Sequence, residues 1–471
     1  MKKFCLAALM LVLGLGTVAC EQGAGEGGPV AWSAETRPYL DHATKVANYL
    51  VSVSEANGLT AEVAFSPGGT RSWVPEGAEL GAGLDLAEGQ AGITLFLLEL
   101  YRVTQDEAHR AQAVYAANSL LASCEEDLKA EEPTLGTGLY DGIAGIGFVL
   151  HRASEVLGES RFREAAASCA QAIEERLTSR AGMATWGTEN GLYSGDAGSG
   201  LYLLYAAKKM GRREALEPLR EVGNRYLEIG RLDWKSGALY WTVSDRDGMI
   251  FPNFSRGNAG IGYFLIDLYK HTEDDQYLSL ASAGAEYLKA IAQAKRGESF
   301  LLPYGMSKRD WRNRYELGWA DGIIGSSRFF YHLAYTTGDP QWTEILDQCI
   351  ASVSSSEPDS TWSLRDGKGS VAQFWVQLYQ NLNDQKYMDL AQPMLEALVG
   401  EAKISEATVS PTQMSWSVPD TENPERATTP LGYLNGAAGM GLLMLQMDAA
   451  LQSHKWPLVL PDDPFGPFEE F

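Results

Sequence analysis

The chain has 471 residues, with 38 Lys and Arg against 61 Asp and Glu, for a formal charge of −23. So acidic a chain lacks the basic face that phosphate binding requires, which disfavours nucleic acid as a partner. Apolar residues make up 45% of it, enough to bury a large core, and its five cysteines include no CxxC pair, which argues against cysteine chemistry as the theme.

Lys2 and Lys3 precede an apolar run from Leu6 to Leu15, and Thr17-Val18-Ala19-Cys20 follows. Residues 1–19 read as a secretory signal, too short to span a bilayer. The small residues ending on a cysteine resemble the lipobox of bacterial lipoproteins. That resemblance implies acylation of Cys20 and export, with the chain lipid-anchored to a bacterial membrane in the periplasm or at the cell surface. Residues 20–33 are rich in glycine and read as a flexible tether.

From Gly89 onward a motif close to Gly-x-x-Gly opens seven apolar, helix-like runs. They start at Gly89, Gly142, Gly195, Gly257, Gly322, Gly367 and Gly436, with separations of 53, 53, 62, 65, 45 and 69 residues. Each interval accommodates one helical hairpin and its loops. The first helix of each pair is apolar nearly all round and belongs inside. A second, amphipathic pattern, as in 106–129, 159–178, 213–230, 276–294, 341–354 and 385–399, belongs outside. The spacing predicts an all-α fold, an (α/α) toroid of seven inner and seven outer helices over residues 34–456. Closure into a ring leaves no exposed terminal face. The motif glycines are expected where inner helices converge.

Cys124, Cys169 and Cys349 read as buried apolar side chains, the last two each 27 residues after a motif glycine. A disulfide from Cys124 is the alternative. Segment 237–253 alternates around Asp247-Gly248 and predicts a β-hairpin. Residues 457–471 form an acidic, proline-rich tail with no predicted element.

The sevenfold recurrence, with GLYDGIAGIG (138–147), NFSRGNAGIGY (253–263), GWADGIIG (318–325), LRDGKG (364–369) and GYLNGAAGMG (432–441) in order, resembles the lanthionine synthetase C (LanC) family. Its members close thioether rings in peptides and fold as a double ring of seven inner and seven outer helices. Six-hairpin glycosidase-type α/α barrels are related in architecture, and the seventh copy separates this chain from them. In catalytic LanC proteins the fifth motif reads Trp-Cys-x-Gly and the sixth Cys-His-Gly, which together hold a zinc ion with one open position. Here those positions are Ala320, Arg365 and Asp366. The family's histidine before the fourth motif glycine corresponds to Arg256, and its aspartate four residues before the second motif glycine to Gly138. The resemblance therefore implies a LanC-like protein without the family zinc, and no other cofactor is expected. Cyclase domains of some kinase-fused synthetases also lack these ligands, so chemistry is left open.

The residues just before the motif glycines are Glu88, Asp141, Ser194, Arg256, Asp321, Asp366 and Asn435. Asp, Ser and Asn suit a helix N-cap, whereas a cluster of carboxylates suits acid–base catalysis. Glu88, Asp141, Arg256, Asp321 and Asp366 are the catalytic candidates. Arg256 either holds a ligand carboxylate or pairs with Glu88 or Asp366. Tryptophans in the loops before the motifs, among them Trp241, Trp319 and Trp362, are candidate platforms for sugars or peptide side chains, and packing is the alternative. The expected function is binding of a peptide or small ligand in the central cavity of a cell-envelope protein. A carbohydrate-active α/α-barrel enzyme using the cavity carboxylates is the alternative.

Overall fold

The computed structural model describes residues 37–56, 83–295, 299–405, 412–417 and 429–452. The expected signal, Cys20, the tether and the acidic tail lie outside the described residues. Seven inner helices each begin one residue after a motif glycine: α2 (Gln90–Thr104), α4 (Ile143–Leu157), α6 (Asp196–Lys209), α8 (Asn258–Thr272), α10 (Ile323–Thr337), α12 (Lys368–Leu382) and α14 (Ala437–Leu451). The outer helices are α1 (Pro38–Ala56), α3 (Glu107–Lys129), α5 (Ser160–Glu175), α7 (Leu216–Ile229), α9 (Asp275–Ile291), α11 (Pro340–Ser354) and α13 (Gln385–Gly400). Each inner helix packs on its two inner neighbours, and α14 returns to α2, so the ring closes as the repeat spacing predicts.

The seventh hairpin is assembled from the two ends of the chain, because the outer partner of α14 is α1. Arg37 clasps Asp448 of α14 through Nε at 3.1 Å, and Asn48 donates to the Thr412 carbonyl at 3.1 Å. Asp448 is buried, so this ion pair holds the closure where water does not compete for it. Among the described residues no helix is long and apolar enough to cross a membrane.

Inner and outer helices start by different devices. Outer helices α3, α9, α11 and α13 are capped by Asp106, Asp274, Asp339 and Asp384, which accept the amides of Ala108, Gln276, Gln341 and Lys386 at 2.7–3.2 Å. Each such cap contributes about 1 kcal/mol. Every inner helix has its motif glycine at the N-cap in extended conformation, with no side-chain cap. A loop carbonyl takes that role instead: Gln90, Ile143, Asp196, Asn258, Ile323, Lys368 and Ala437 donate their amides to Gly83, Gly136, Glu189, Phe251, Glu316, Thr361 and Pro430. The capping role expected for Asp141, Ser194, Asp321, Asp366 and Asn435 is thus filled by main chain, which releases their side chains.

This wrap explains the glycines better than helix convergence does. A Cβ at Gly142, Gly195 or Gly257 would lie 2.0–2.5 Å from the carbonyl oxygen that caps its helix, and at Gly145, Gly198, Gly260, Gly325 or Gly439 it would lie 1.8–2.1 Å from another loop oxygen. Close approach of inner helices is served by a third set. Gly147, Gly200, Gly262 and Gly441 face the rings of Tyr202, Phe264, Phe329 and Phe96 on the next inner helix.

Among the described residues four two-stranded antiparallel ribbons extend from outer helices: β1 (Thr178–Arg180) with β2 (Met183–Thr185), β3 (Arg231–Leu232) with β4 (Leu239–Tyr240), β5 (Gln293–Lys295) with β6 (Ser299–Leu301), and β7 (Lys403–Ser405) with β8 (Gln413–Ser415). The hairpin expected on Asp247-Gly248 is displaced. The ladder pairs Arg231 with Tyr240 and Leu232 with Leu239, turning at Asp233–Gly237, where Asp233 binds Ser236 and Gly237 takes positive φ. Segment 241–253 instead follows the rim as irregular chain, with one Val243 to Met249 main-chain bond across the Asp247-Gly248 turn.

Candidate functional site

The loops that cap the inner helices are themselves joined in a closed belt. Counting back two residues from each motif glycine gives Ala87, Tyr140, Tyr193, Ser255, Ala320, Arg365 and Leu434. Each donates its amide to the carbonyl of the next, and Leu434 donates back to Ala87, at 2.7–3.1 Å. Adjacent loops must touch for this to happen. At Gly138, Gly191, Gly318 and Gly432 a Cβ would stand 2.2–2.8 Å from the Cα of Ser194, Arg256, Asp366 and Glu88 in the adjoining repeat. In the other three repeats the corresponding side chain finds a use: Asp85, Asn253 and Ser363 accept the amides of Glu88, Arg256 and Asp366.

This rigid belt aims the residue before each motif glycine into the mouth of the ring. The motif glycines are buried, whereas Glu88 and Asp141 are exposed and Ser194, Arg256, Asp321, Asp366 and Asn435 are half-buried. The axis beneath is filled. Tyr140 stacks on Tyr193 at 5.3 Å and meets Trp319 from across the ring at 4.7 Å, and Trp319 packs edge-on to Phe254 at 6.0 Å. These rings close the base of the mouth.

One sector of the mouth stays open. A cavity of about 490 Å³ lies over repeats five, six, seven and one, with Glu88, Asp321, Trp362, Arg365, Asp366 and Asn435 in its wall, together with Arg314, Glu316, Asp359, Thr361, Ser363 and Pro430. Five carboxylates face two guanidinium groups. Arg314 pairs with Glu316, Arg365 Nε lies 3.3 Å from Asp366, and Asn435 donates to Glu88 at 2.5 Å. The arrangement leaves an acidic excess suited to a ligand carrying positive charge.

Asp366 is the group whose chemistry the cavity alters most. Burial, then the neighbouring Asp321 charge, raises its pKa from 3.8 to about 6, although the Asp321 amide donates to it at 3.0 Å and Arg365 opposes the rise. Glu88 and Asp141 are also raised, in both cases chiefly by desolvation between the walls of the mouth. A carboxyl that still holds its proton near pH 6 can donate it to a bound molecule.

Of the expected site residues, the structure brings Glu88, Asp321, Asp366 and Trp362 into this cavity. Arg256 lies behind it. Its guanidinium pairs with Asp321 at 3.3 Å rather than with Glu88 or Asp366, donates to Tyr304 at 3.2 Å and covers the Phe251 ring at 4.5 Å. Asn253 donates to the same Asp321 oxygen at 2.8 Å, so Asp321 is held in place from two directions. Asp141 sits at the closed side of the mouth, outside the cavity wall. Trp241 is a core residue, 1% exposed, with its indole N–H on the Tyr226 carbonyl at 2.8 Å, and Trp319 belongs to the axial plug. Trp362 is held by a 3.2 Å bond from its indole to the Ser417 carbonyl.

Sequence reasoning passed over Arg314, Glu316 and Asp359 in this wall, and Arg365. Seen as the loss of a cysteine, Arg365 is in the fold a cation that lines the cavity, pairs with Asp366 and lies 5.7 Å from the Tyr193 ring of repeat three. Comparison of the seven belt positions could have found it, since it is the only charged residue among them. The residues facing the zinc positions do not fit a zinc ion. Ala320 has no donor atom, and Arg365 places a guanidinium beside the single remaining carboxylate, Asp366. Among the described residues no three His, Cys, Asp or Glu side chains gather so as to hold a metal.

Fold and mouth together define the class: an (α/α) toroid of seven helical hairpins with an acidic cavity at the end where the inner helices begin. A profile described as lanthionine synthetase C-like protein matches residues 82–460, and the chain belongs to that family. Among solved structures, nisin cyclase superposes with a TM-score of 0.59 at 15% identity, covering 80% of this chain and 92% of its own. An unsaturated glucuronyl hydrolase specific for heparin gives 0.44 at 13% identity over 89% and 99% of the two chains. The GH76A α-1,6-mannanase from Salegentibacter sp. HEL1_6 gives 0.42 at 12% identity over 88% and 99%. A search of curated proteins by sequence finds no match.

Proposed function

We propose that this LanC-like protein binds a peptide or small ligand bearing a positive charge in the mouth cavity, and that it does so without the family zinc. The observation that carries this reading is the composition of the cavity wall, five carboxylates and two arginines around about 490 Å³, with Ala320, Arg365 and Asp366 where the family pattern has its ligands. Arg365 is the key group. It neutralises Asp366 in place of a metal and leaves the other carboxylates to meet the ligand. Thermal-shift screening of cationic peptides, neutral peptides and glycans tests the reading, with metal analysis of the same preparation. Stabilisation by cationic peptides that is lost in the double variant Glu88→Gln/Asp359→Asn is the expected result. One tightly held zinc per chain, or a response to glycans alone, would overturn it.

A second reading has one observation in its favour. Asp366 keeps its proton to about pH 6 in the same wall as Asp321, with Trp362 alongside, and acid-catalysed glycan hydrolysis uses two carboxyl groups. Release of reducing ends from envelope polysaccharides, abolished by Asp366→Asn and by Asp321→Asn, would establish it. Export and a lipid anchor at Cys20 complete the proposal, resting on the N-terminal sequence. Incorporation of labelled palmitate, absent in Cys20→Ser, checks the anchor.

A further inference from the structure

The structure assigns Cys124 and Cys169 as a disulfide site that ties the outer helices of the first two repeats together. Cys124 on α3 and Cys169 on α5 bring their Sγ atoms to 3.6 Å, and the two helices pack against each other. Both residues are buried, at 2% and 0% exposure. They sit over the inner helix α4, where a Cβ on Gly147 would lie 2.9 Å from the Cys169 Cβ. A disulfide needs about 2.0 Å between the sulfurs, so the bond requires closure by about 1.5 Å. Rotation of the two side chains with a small approach of the helices supplies that.

The co-reactant is a low-molecular-weight disulfide. One cysteine attacks it as the thiolate, forming a mixed disulfide and expelling one small thiolate. The second cysteine then attacks the protein sulfur of that mixed disulfide and expels the other small thiolate. The two protein thiols lose two protons and two electrons, and the reagent is reduced to two thiols. The hydrogen-bonding contact with Cys169, and then burial, raise the Cys124 pKa, so exchange is slow in the closed structure and proceeds when α3 and α5 separate. Once formed, the bond links positions 45 residues apart and restricts the unfolded chain accordingly. Cys349, buried alone on α11, serves as the internal reference.

The test uses the full chain, reduced and then held with oxidised glutathione near its melting midpoint until the reaction ends, followed by alkylation and trypsin. Expected is a joined species of peptides 111–129 and 164–176, lighter than the two free thiol peptides together by two hydrogen atoms, while Cys349 is recovered in a peptide of its own, alkylated or glutathionylated. The midpoint of the oxidised chain should rise by roughly 4 °C, and the C124A/C169A chain should show no such rise. Recovery of Cys124 and Cys169 in separate alkylated or glutathionylated peptides would overturn the assignment, as would an equal rise in the C124A/C169A chain.

Discussion

The two sides of the ring mouth are built on one main-chain plan and end in opposite states. Repeats two to four present Tyr140, Tyr193 and Ser255 from the belt, and the tyrosines close over the axis against Trp319. Repeats five to seven and repeat one present Ala320, Arg365, Leu434 and Ala87, and there the mouth opens into the cavity. The hydrogen-bond belt and the carbonyl caps are the same in every repeat. Main chain therefore supplies the frame, and side-chain volume and charge at the belt decide where it opens. The catalytic and binding candidates divide along the same line. Asp141 falls on the closed side, while Asp321, Asp366 and Glu88 fall on the open one.

The frame is the part most sensitive to change. In Gly325→Ala the new Cβ would meet the Trp319 carbonyl oxygen at 1.9 Å, backbone against backbone, and a loss of about 4 kcal/mol or more in urea denaturation is expected. Gly187→Ala, with nothing within 4 Å of its Cβ, should stay within about 0.5 kcal/mol. Equal effects at the two positions would remove the main-chain frame as the shared element.

Breaking the closed side comes next. Tyr140→Ala deletes a fully buried ring from the axial plug and should cost roughly 3 kcal/mol, read from the thermal midpoint. If the plug is what separates the two sides, this variant also gains response to ligands too large for the native cavity. A stability loss with an unchanged ligand profile would mean that the plug does not set access.

On the open side the expected sign is reversed. The Asp366 pKa is raised from 3.8 in the unfolded chain to about 6 in the folded one, so the folded state holds its proton more tightly. Stability from this group is present below about pH 4, falls as pH rises to about 6 and stays lost above it. Asp366→Asn should therefore stabilise the protein at pH 7.5 by up to about 3 kcal/mol, with the gain vanishing by about pH 4. A thermal midpoint that drops at pH 7.5 would show that the pairing with Arg365 outweighs burial. Asp141→Asn on the closed side should move in the same direction and by less, because Asp141 is exposed where Asp366 is half-buried.

The finest distinction concerns Arg365. Its guanidinium lowers the Asp366 pKa, so Arg365→Ala should shift the pH midpoint of any ligand response upward. The midpoint of the Asp366 carboxyl signal in NMR titration reads the same quantity. No movement in either would place Arg365 outside the electrostatics of the cavity.

Much of this was legible in the chain because it depends on near neighbours. Seven glycine motifs at hairpin spacing specify seven inner helices, and the aspartates at 106, 274, 339 and 384, each directly after the residue that ends an inner helix, cap the next helix. The absence of Cys and His at positions 320, 365 and 366 is likewise a plain fact of sequence. What the tertiary structure decided is who caps, who packs and who faces the cavity. An aspartate before a helix looks like a cap until a loop carbonyl six residues before the motif glycine takes the amide first, as Glu316 does at Ile323 and leaves Asp321 for Arg256. Trp241 and Trp362 share a loop setting in sequence, yet one is sealed against Tyr226 and the other lines the cavity. Glu88 and Asn435 lie 347 residues apart along the chain and meet only because the ring closes. Local hydrogen bonding and periodicity are written within one repeat, whereas burial, ion pairing and the shape of a mouth depend on neighbours that closure alone brings together.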